Sequence, residues 1–179
     1  MNLEEKTKLR NLIYKGRILD FYNDTITLPN GKEAMREYVD HKGGSGILAI
    51  DNQDYVYLVE QFRYPYGEIV MEIPAGKIDD NEDYLSCAIR ELQEETGIMA
   101  KDIIDLGVIY PSPGYTNEPL HIYVAKHFAQ GDSNCDDGEF INLVRISFSE
   151  ALDMVMSGKI KDSKTCIAIL KYNVIKNNA

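Results

Sequence analysis

Residues 11–73 contain several short runs rich in apolar residues, separated by polar and turn-forming residues, and this pattern predicts strands. A hairpin is predicted at the turn Pro29-Asn30-Gly31, because Asn-Gly readily supplies the positive φ angles of tight turns. A second hairpin is predicted around the polar segment DNQD, residues 51–54. The strand segments that flank and follow these turns are LIYKGRILDFY, DTITL, REYVDH, GILAI, YVYLVEQF and EIVMEI, the last of which ends before Pro74.

Two helices are predicted after the last strands. The helix at 149–157 ends at Gly158, since glycine adopts the left-handed conformation that terminates helices. The helix at 163–176 begins after Asp162 or Ser163, both of which are good N-terminal caps. The strands that precede these helices lie near 104–110, 119–128 and 139–147.

Many strands with only three helices predict a mixed α/β domain, in which a sheet is covered by helices. This domain is assigned to residues 43–179. Residues 1–42 are either a β extension that pairs with a second chain or a plain N-terminal hairpin.

Composition narrows the function. The net charge of −10 argues against a protein that binds nucleic acid by neutralising phosphates, and an anionic ligand would need a cation between it and the protein. No run of about 18 apolar residues occurs, so no membrane segment is expected. Cys87, Cys135 and Cys166 show no CxxC spacing, which predicts reduced thiols and a cytoplasmic protein.

The third helix lies in the stretch GKIDDNEDYLSCAIRELQEETGI, residues 76–98. It is predicted over 82–96, with Asp80 or Asn81 as its cap and Gly97 at its C-terminal end. A buried apolar stripe is predicted from residues at helical spacing, namely Tyr84, Leu85, Ala88, Ile89 and Leu92.

Three carboxylates occupy the last turns of this helix, where the helix dipole disfavours negative charge by about 0.3–1 kcal/mol each. At about 100° per residue, Glu91, Glu94 and Glu95 fall on one arc beside the apolar stripe. One interpretation is a solvated acidic face. The other is a site for a hard divalent cation such as Mg²⁺, which converts the repulsion into coordination.

The pattern Gly76-x5-Glu82-x7-Arg90-Glu91-Leu92-Gln93-Glu94-Glu95-Thr96-Gly97-Ile98 resembles the complete Nudix box. The resemblance implies a Nudix hydrolase with an α/β/α sandwich and a mixed sheet, which cleaves a nucleoside diphosphate derivative with Mg²⁺ or Mn²⁺. Carried over position by position, the metal ligands implied are the carboxylates Glu91, Glu94 and Glu95 and the backbone carbonyl of Ala75. Glu94 is thereby also a catalytic candidate. Arg90 and Glu82 are expected to form a structural ion pair.

The segments VEQFRYPYGEIVMEIPAGKID, PSPGYTNEPLHIYVA and DDGEF, with Pro113, resemble the ADP-ribose pyrophosphatase branch of that family. This branch splits ADP-ribose into AMP and ribose 5-phosphate, and the resemblance also implies a homodimer. Two alternatives stay open. One is a Nudix hydrolase acting on GDP-mannose, a dinucleoside polyphosphate or a damaged nucleotide, and the other is a non-catalytic ADP-ribose sensor.

Four residues are candidates for contact with the substrate. Arg63 suits a two-pronged contact with a phosphate, against the alternative of a surface ion pair. Glu72 is a candidate acceptor for an adenine amino group or a ribose, or else a structural carboxylate. Arg36 is expected to reach the site of a neighbouring subunit, and Gly114 to let backbone approach the terminal ribose.

The general base implied by the resemblance lies in the segment DDGEF. Glu139 is the first candidate for taking a proton from the attacking water, and Asp137 is the second. The alternative for this segment is an acidic turn without a catalytic role.

Overall fold

Residues 2–131, 133 and 140–178 are described by a computed structural model of the chain. The backbone divides into two units, each with its own network of contacts. The first unit comprises Met1–Gly43 and Tyr110–Pro119, and the second comprises Gly44–Ile109 and Leu120–Ala179.

The first unit is a four-stranded antiparallel sheet built on β3, which pairs with β1 and β2 along one edge and with β4 along the other. The hairpin predicted at Asn30-Gly31 is confirmed: Gly31 has φ 83° and Leu28 N–H donates to the Lys32 carbonyl at 2.8 Å. The strands are β1 (Lys6–Leu9), β2 (Leu12–Lys15), β3 (Asp20–Thr27) and β4 (Glu33–Asp40). The first of these has no counterpart in the sequence prediction.

The second unit contains a seven-stranded mixed sheet, in which β11 and β5 are parallel and the other pairs are antiparallel. Its strands are β5 (Gly44–Ile50), β6 (Tyr55–Arg63), β7 (Glu68–Glu72), β8 (Ala75–Lys77), β10 (Asp102–Ile109), β11 (Leu120–Lys126) and β13 (Ile141–Ser147). Two short strands, β9 (Ile98–Met99) and β12 (Ala129–Gln130), pair separately. The predicted hairpin around residues 51–54 is confirmed by the pairing of β5 with β6.

Helices cover both faces of this sheet, because successive residues of a strand point to opposite faces. Ile47 and Ala49 of β5 are buried in the same cluster as Leu92 of helix α1. Leu48 and Ile50 are buried in a second cluster with the apolar side chains of α2 and α3. The helices are α1 (Tyr84–Thr96), α2 (Phe148–Met156) and α3 (Ser163–Asn178). The predicted α/β fold with a mixed sheet is therefore confirmed.

Helix α1 begins two residues later than predicted, and its cap is neither Asp80 nor Asn81. Asn81 has φ 68° and lies in a turn, and Asp83 caps the helix by accepting a hydrogen bond from Ser86 N–H at 2.9 Å. Leu85 is also wrong as a buried position, since 39% of it is exposed. The prediction for the other end is confirmed, because Gly97 is left-handed and donates to the Gln93 carbonyl.

The two later helices lie where the sequence predicts them. Asp162 is the cap of α3, and its carboxylate accepts from Thr165 N–H at 3.0 Å. Gly158, with φ 74°, follows the end of α2. In the described part of the chain, no helix is both long enough and apolar enough to cross a membrane.

Candidate active site

The acidic end of α1 lies against the connection between β7 and β8. Glu95 is buried, with 7% of its surface exposed, and its Oε2 accepts a hydrogen bond from Ala75 N–H at 3.2 Å. The Pro74 carbonyl, one residue earlier, accepts from Ile47 N–H of β5 at 2.9 Å. The backbone before Gly76 is therefore held from two sides, by the helix and by the central strand.

Arg90 joins the start and the end of α1 through one guanidinium. Its Nε donates to Glu82 Oε1 at 2.8 Å, which confirms the expected ion pair, and its Nη2 donates to the Lys77 carbonyl at 3.2 Å. Its Nη1 donates to Glu91 Oε1 at 2.8 Å and to Glu94 Oε2 at 3.0 Å. These hydrogen bonds lower the pKa of Glu82 to about 2 and raise the pKa of Arg90. Arg90 thus offsets the carboxylate repulsion within the helix.

Gly76 is required by the position of Glu91. A Cβ atom added to Gly76 would overlap the carboxylate of Glu91, whose Cδ and both oxygens are its nearest neighbours. Gly76 is paired with Ser45 in the β8–β5 ladder, so the strand itself is fixed in place. The missing side chain of Gly76 therefore leaves space for a carboxylate.

The end of β7 carries a group of charges around the buried Glu72. Arg63 donates to both oxygens of Glu72, from Nε at 2.6 Å and from Nη2 at 2.7 Å. Lys164 Nζ also donates to Glu72 Oε2. Burial alone would raise the pKa of Glu72, but the two cations outweigh it and the pKa is lowered. The two predicted substrate residues of this unit are thus brought together, with Arg63 on Glu72.

Helix α3 fastens this group to the sheet. The buried Thr165 hydroxyl donates to Asp162 Oδ2 at 2.6 Å, and its oxygen accepts from Ile73 N–H at 2.8 Å. Lys164 Nζ contacts Asp162 Oδ1 at 3.1 Å. The segment from Glu72 to Gly76, which links the charge group to the acidic end of α1, is therefore held along its whole length.

The NUDIX domain pattern matches residues 40–164 of the chain, which is more than half of its length. The chain belongs to the Nudix family. The family predicted from the box is thereby confirmed, and proteins of this family generally use a divalent metal ion.

Three relatives of this Nudix protein carry different names. An ADP-ribose pyrophosphatase of Bacillus subtilis (strain 168) is 36% identical over 94% of this chain and 92% of its own length. A methanol dehydrogenase activator of Bacillus methanolicus is 39% identical over 93% of this chain and 91% of its own. A GDP-mannose pyrophosphatase of Yersinia enterocolitica serotype O:8 is 34% identical over 78% of each chain.

The residues predicted for the Nudix site fall into three groups. Ala75, Glu91, Glu94 and Glu95, like Arg63 and Glu72, belong to the second unit. Arg36 and Gly114 belong to the first, where Arg36 donates to Glu5 and an added Cβ at Gly114 would meet nothing within 4 Å. Both candidate bases, Glu139 and Asp137, lie outside the described residues.

Lys164 and Thr165 are the site residues that sequence reasoning missed. Their contacts to Glu72 and Ile73 each span 92 positions along the chain, so no local pattern reports them. The only local signal is Asp162, which the sequence identifies as a cap and which in the structure also contacts Lys164. A lysine two positions after a cap is unfavourable because of the helix dipole. This unfavourable position is the feature of the sequence that could have indicated a role for Lys164.

The donor chemistry of the acidic end suits a hard divalent cation, since Glu91, Glu94 and Glu95 offer carboxylate oxygens. The space beside Gly76 is occupied by the carboxylate of Glu91. Across residues 2–131, 133 and 140–178, no three His, Cys, Asp or Glu side chains converge as a metal-binding group. Glu91 and Glu94 instead accept hydrogen bonds from Arg90, whose positive charge partly balances theirs.

Proposed function

We propose that this Nudix protein hydrolyses the diphosphate of ADP-ribose, giving AMP and ribose 5-phosphate, with Mg²⁺ as its metal. The observation that carries the proposal is the acidic end of α1, held against Gly76 by Arg90 and Ala75. The substrate class is supported by the Bacillus subtilis ADP-ribose pyrophosphatase, which aligns over nearly the whole chain.

In this proposal the metal is held by Glu91, Glu94, Glu95 and the carbonyl of Ala75, and Mn²⁺ can substitute for Mg²⁺. A bound divalent ion supplies neutralisation of the diphosphate and a lower pKa for its water. The protein's own part is to orient the carboxylates: Ala75 N–H contacts Glu95, and Arg90 contacts Glu91 and Glu94. Burial of Glu95 excludes water from one side of the group.

The substrate contacts are proposed on the same basis. Arg63 exchanges Glu72 for a phosphate, since its planar guanidinium matches either partner with two hydrogen bonds. Glu72 is proposed as the acceptor for the adenine amino group or a ribose. We propose further that Arg36 reaches the site of a neighbouring subunit in a cytoplasmic homodimer, and that Gly114 lets backbone approach the terminal ribose. Glu139, or else Asp137, takes the proton of the attacking water.

The test is AMP release from ADP-ribose with Mg²⁺ and with EDTA. Glu91→Gln removes a proposed ligand, and Glu150→Gln makes the same change at an exposed position of α2 as a control. Activity that needs Mg²⁺, survives in Glu150→Gln and falls at least about tenfold in Glu91→Gln supports the proposal. Binding of ADP-ribose without any turnover would instead support the sensor alternative.

A second substrate is favoured by the Yersinia enterocolitica relative, which is named a GDP-mannose pyrophosphatase. The assay therefore runs ADP-ribose, GDP-mannose, a diadenosine polyphosphate and 8-oxo-dGTP in parallel. A higher kcat/KM for any of the last three keeps the metal site and removes the ADP-ribose assignment.

A protein partner is a separate candidate, because the Bacillus methanolicus relative is named a methanol dehydrogenase activator. Adding the chain to a purified methanol dehydrogenase and measuring alcohol oxidation tests it. A rate increase that Glu91→Gln abolishes would link any such activation to the same carboxylates.

A further inference from the structure

Lys164 stands at an unfavourable place for a lysine. It lies in the first turn of α3, where the helix dipole disfavours a cation, and only 8% of it is exposed. Burial of an ammonium group is also costly unless it is paired. Lys164 forms ion pairs with Glu72 and Asp162, and these ion pairs offset the cost of its position.

Glu72 has two cations where one would satisfy its charge. Arg63 donates to both carboxylate oxygens, and Lys164 also donates to Oε2, which therefore accepts two hydrogen bonds. The two cations differ in exposure: 40% of the Arg63 side chain is exposed, against 10% of Lys164. One partner of Glu72 is therefore open to solvent, and the other is fixed in the interior.

Arg63 contacts Glu72, which lies three residues before Ala75, and the Ala75 N–H donates to Glu95 at the acidic end of α1. The positive charge of Arg63 is stabilised by Glu72 first, and further by the charges of Asp162 and Glu95. Glu95 belongs to the proposed metal group, so a phosphate bound there would lie within the electrostatic reach of Arg63. A phosphate bound there would thus be a second anionic partner for the guanidinium.

Leaving Glu72 has a cost that depends on Lys164. Glu72 is 2% exposed, and a buried carboxylate that loses its last cation is strongly destabilised. With Lys164 in place, the carboxylate keeps one cation after Arg63 departs. Lys164 cannot follow Arg63, because Asp162 contacts its ammonium and Thr165 ties the same helical turn to Ile73.

We propose that Lys164 is a positioning residue that keeps Glu72 paired while Arg63 turns to the diphosphate of the substrate. The inference rests on the proposed function, in which Arg63 contacts a phosphate. It assigns Lys164 a role in substrate binding without contact with the substrate. Removing its charge confines Arg63 to Glu72 and weakens the binding of any diphosphate substrate.

The experiment is a double-mutant cycle with Lys164→Gln, Arg63→Gln and the double variant, each of which keeps a hydrogen-bond donor near Glu72 but removes a charge. Lys161→Gln is the matched control, because Lys161 lies three positions earlier and pairs with Glu68 at the surface. KM and kcat are measured for ADP-ribose, and binding of ADP-ribose to the protein in EDTA is measured by calorimetry. Thermal unfolding reports folding for every variant.

Lys164→Gln is expected to raise KM and the dissociation constant roughly tenfold, with kcat within about threefold of wild type. Arg63→Gln then adds little in the Lys164→Gln background, because Arg63 no longer reaches the substrate. Lys164→Arg restores KM, and Lys161→Gln leaves it unchanged. Equal losses from Arg63→Gln with and without Lys164, or a fall in kcat at unchanged KM, would overturn the role.

A wrong substrate assignment would give a different experimental result from a wrong role for Lys164. If the wild type hydrolyses GDP-mannose or another diphosphate in preference to ADP-ribose, the substrate assignment falls. The same cycle is then measured with that diphosphate, and its non-additivity still decides the role of Lys164. If Lys164→Gln does not fold, Lys164→Met, which matches the lysine stem in length, replaces it in the cycle.

Discussion

Replacing Gly76 by alanine separates the folding of the site from its chemistry. The three heavy atoms nearest to the new Cβ all belong to the carboxylate of Glu91, which is the end of a flexible side chain. Gly76 is also not one of the glycines with a positive φ, so alanine fits its backbone conformation. Rotation of Glu91 away from β8 therefore relieves the overlap without moving the strand.

The magnitudes follow from the contacts that change. Gly76→Ala gains about 0.4–1 kcal/mol through the reduced entropy of the unfolded chain. Moving Glu91 loses its hydrogen bond to Arg90, worth about 1.5–3 kcal/mol for a charged group, and less here because Arg90 keeps Glu82 and Glu94. The net loss of unfolding free energy is expected to be about 0–2 kcal/mol, while hydrolysis falls at least about tenfold.

Gly44→Ala provides the contrast, because the Cβ there would overlap the backbone carbonyl of Gly76. Backbone cannot rotate aside, so this variant is expected to lose about 1–3 kcal/mol or more of unfolding free energy. Urea unfolding followed by circular dichroism measures both variants, alongside AMP release with Mg²⁺. Full activity in a folded Gly76→Ala would refute the reasoning, and so would a Gly76→Ala variant less stable than Gly44→Ala.

Three further predictions concern the supports of the site. Thr165→Val leaves Ile73 N–H buried without its acceptor and is expected to lower the unfolding free energy by about 1–3 kcal/mol; a wild-type urea midpoint would contradict this. The pKa of Glu82 is lowered to about 2 by Arg90, so its stabilisation is present above its ordinary pKa of 4.5 and disappears as the pH falls towards 2. Glu82→Gln is therefore expected to cost about 1–2 kcal/mol near neutral pH, allowing for solvent screening, and progressively less below pH 4.5, as urea unfolding across pH measures. Burial raises the pKa of Cys87 to about 12, so alkylation of Cys87, mapped by mass spectrometry, is expected only after unfolding.

Local features of the fold were predictable because their causes are local. The turn at Asn30-Gly31 and the end of α1 at Gly97 depend on φ angles that few residues adopt, and both predictions are confirmed. The start of α1 is less predictable, because more than one residue there can act as the cap. Several capping residues lie side by side there, and Asp83 is the cap because Asn81, with φ 68°, and Glu82, whose N–H donates to the Asp79 carbonyl, form a turn before the helix.

Contacts between distant segments were not predictable in the same way. Arg63 and Glu72 were both singled out, but β6 and β7 pair in a register that places Arg63 opposite Glu68 and Glu72 opposite Val59. Their ion pair depends on how long side chains extend beyond that register. The apolar stripe of α1 shows a similar limit, since periodicity includes Leu85, whereas the first-turn residues that lie against the sheet are Tyr84 and the buried Cys87.

The hydrogen bond from Ile73 to Thr165 also sets an order of events during synthesis. The two residues are 92 positions apart, and translation adds roughly 5–20 residues per second. For roughly 5–18 s after Ile73 is synthesised, Thr165 is therefore not yet present to accept the hydrogen bond of its N–H. Lys164 is likewise not yet present to pair with Glu72. The strand that leads into the carboxylate group can be fastened only when α3 emerges, so a nascent chain carries its acidic helix for seconds before it can hold a substrate.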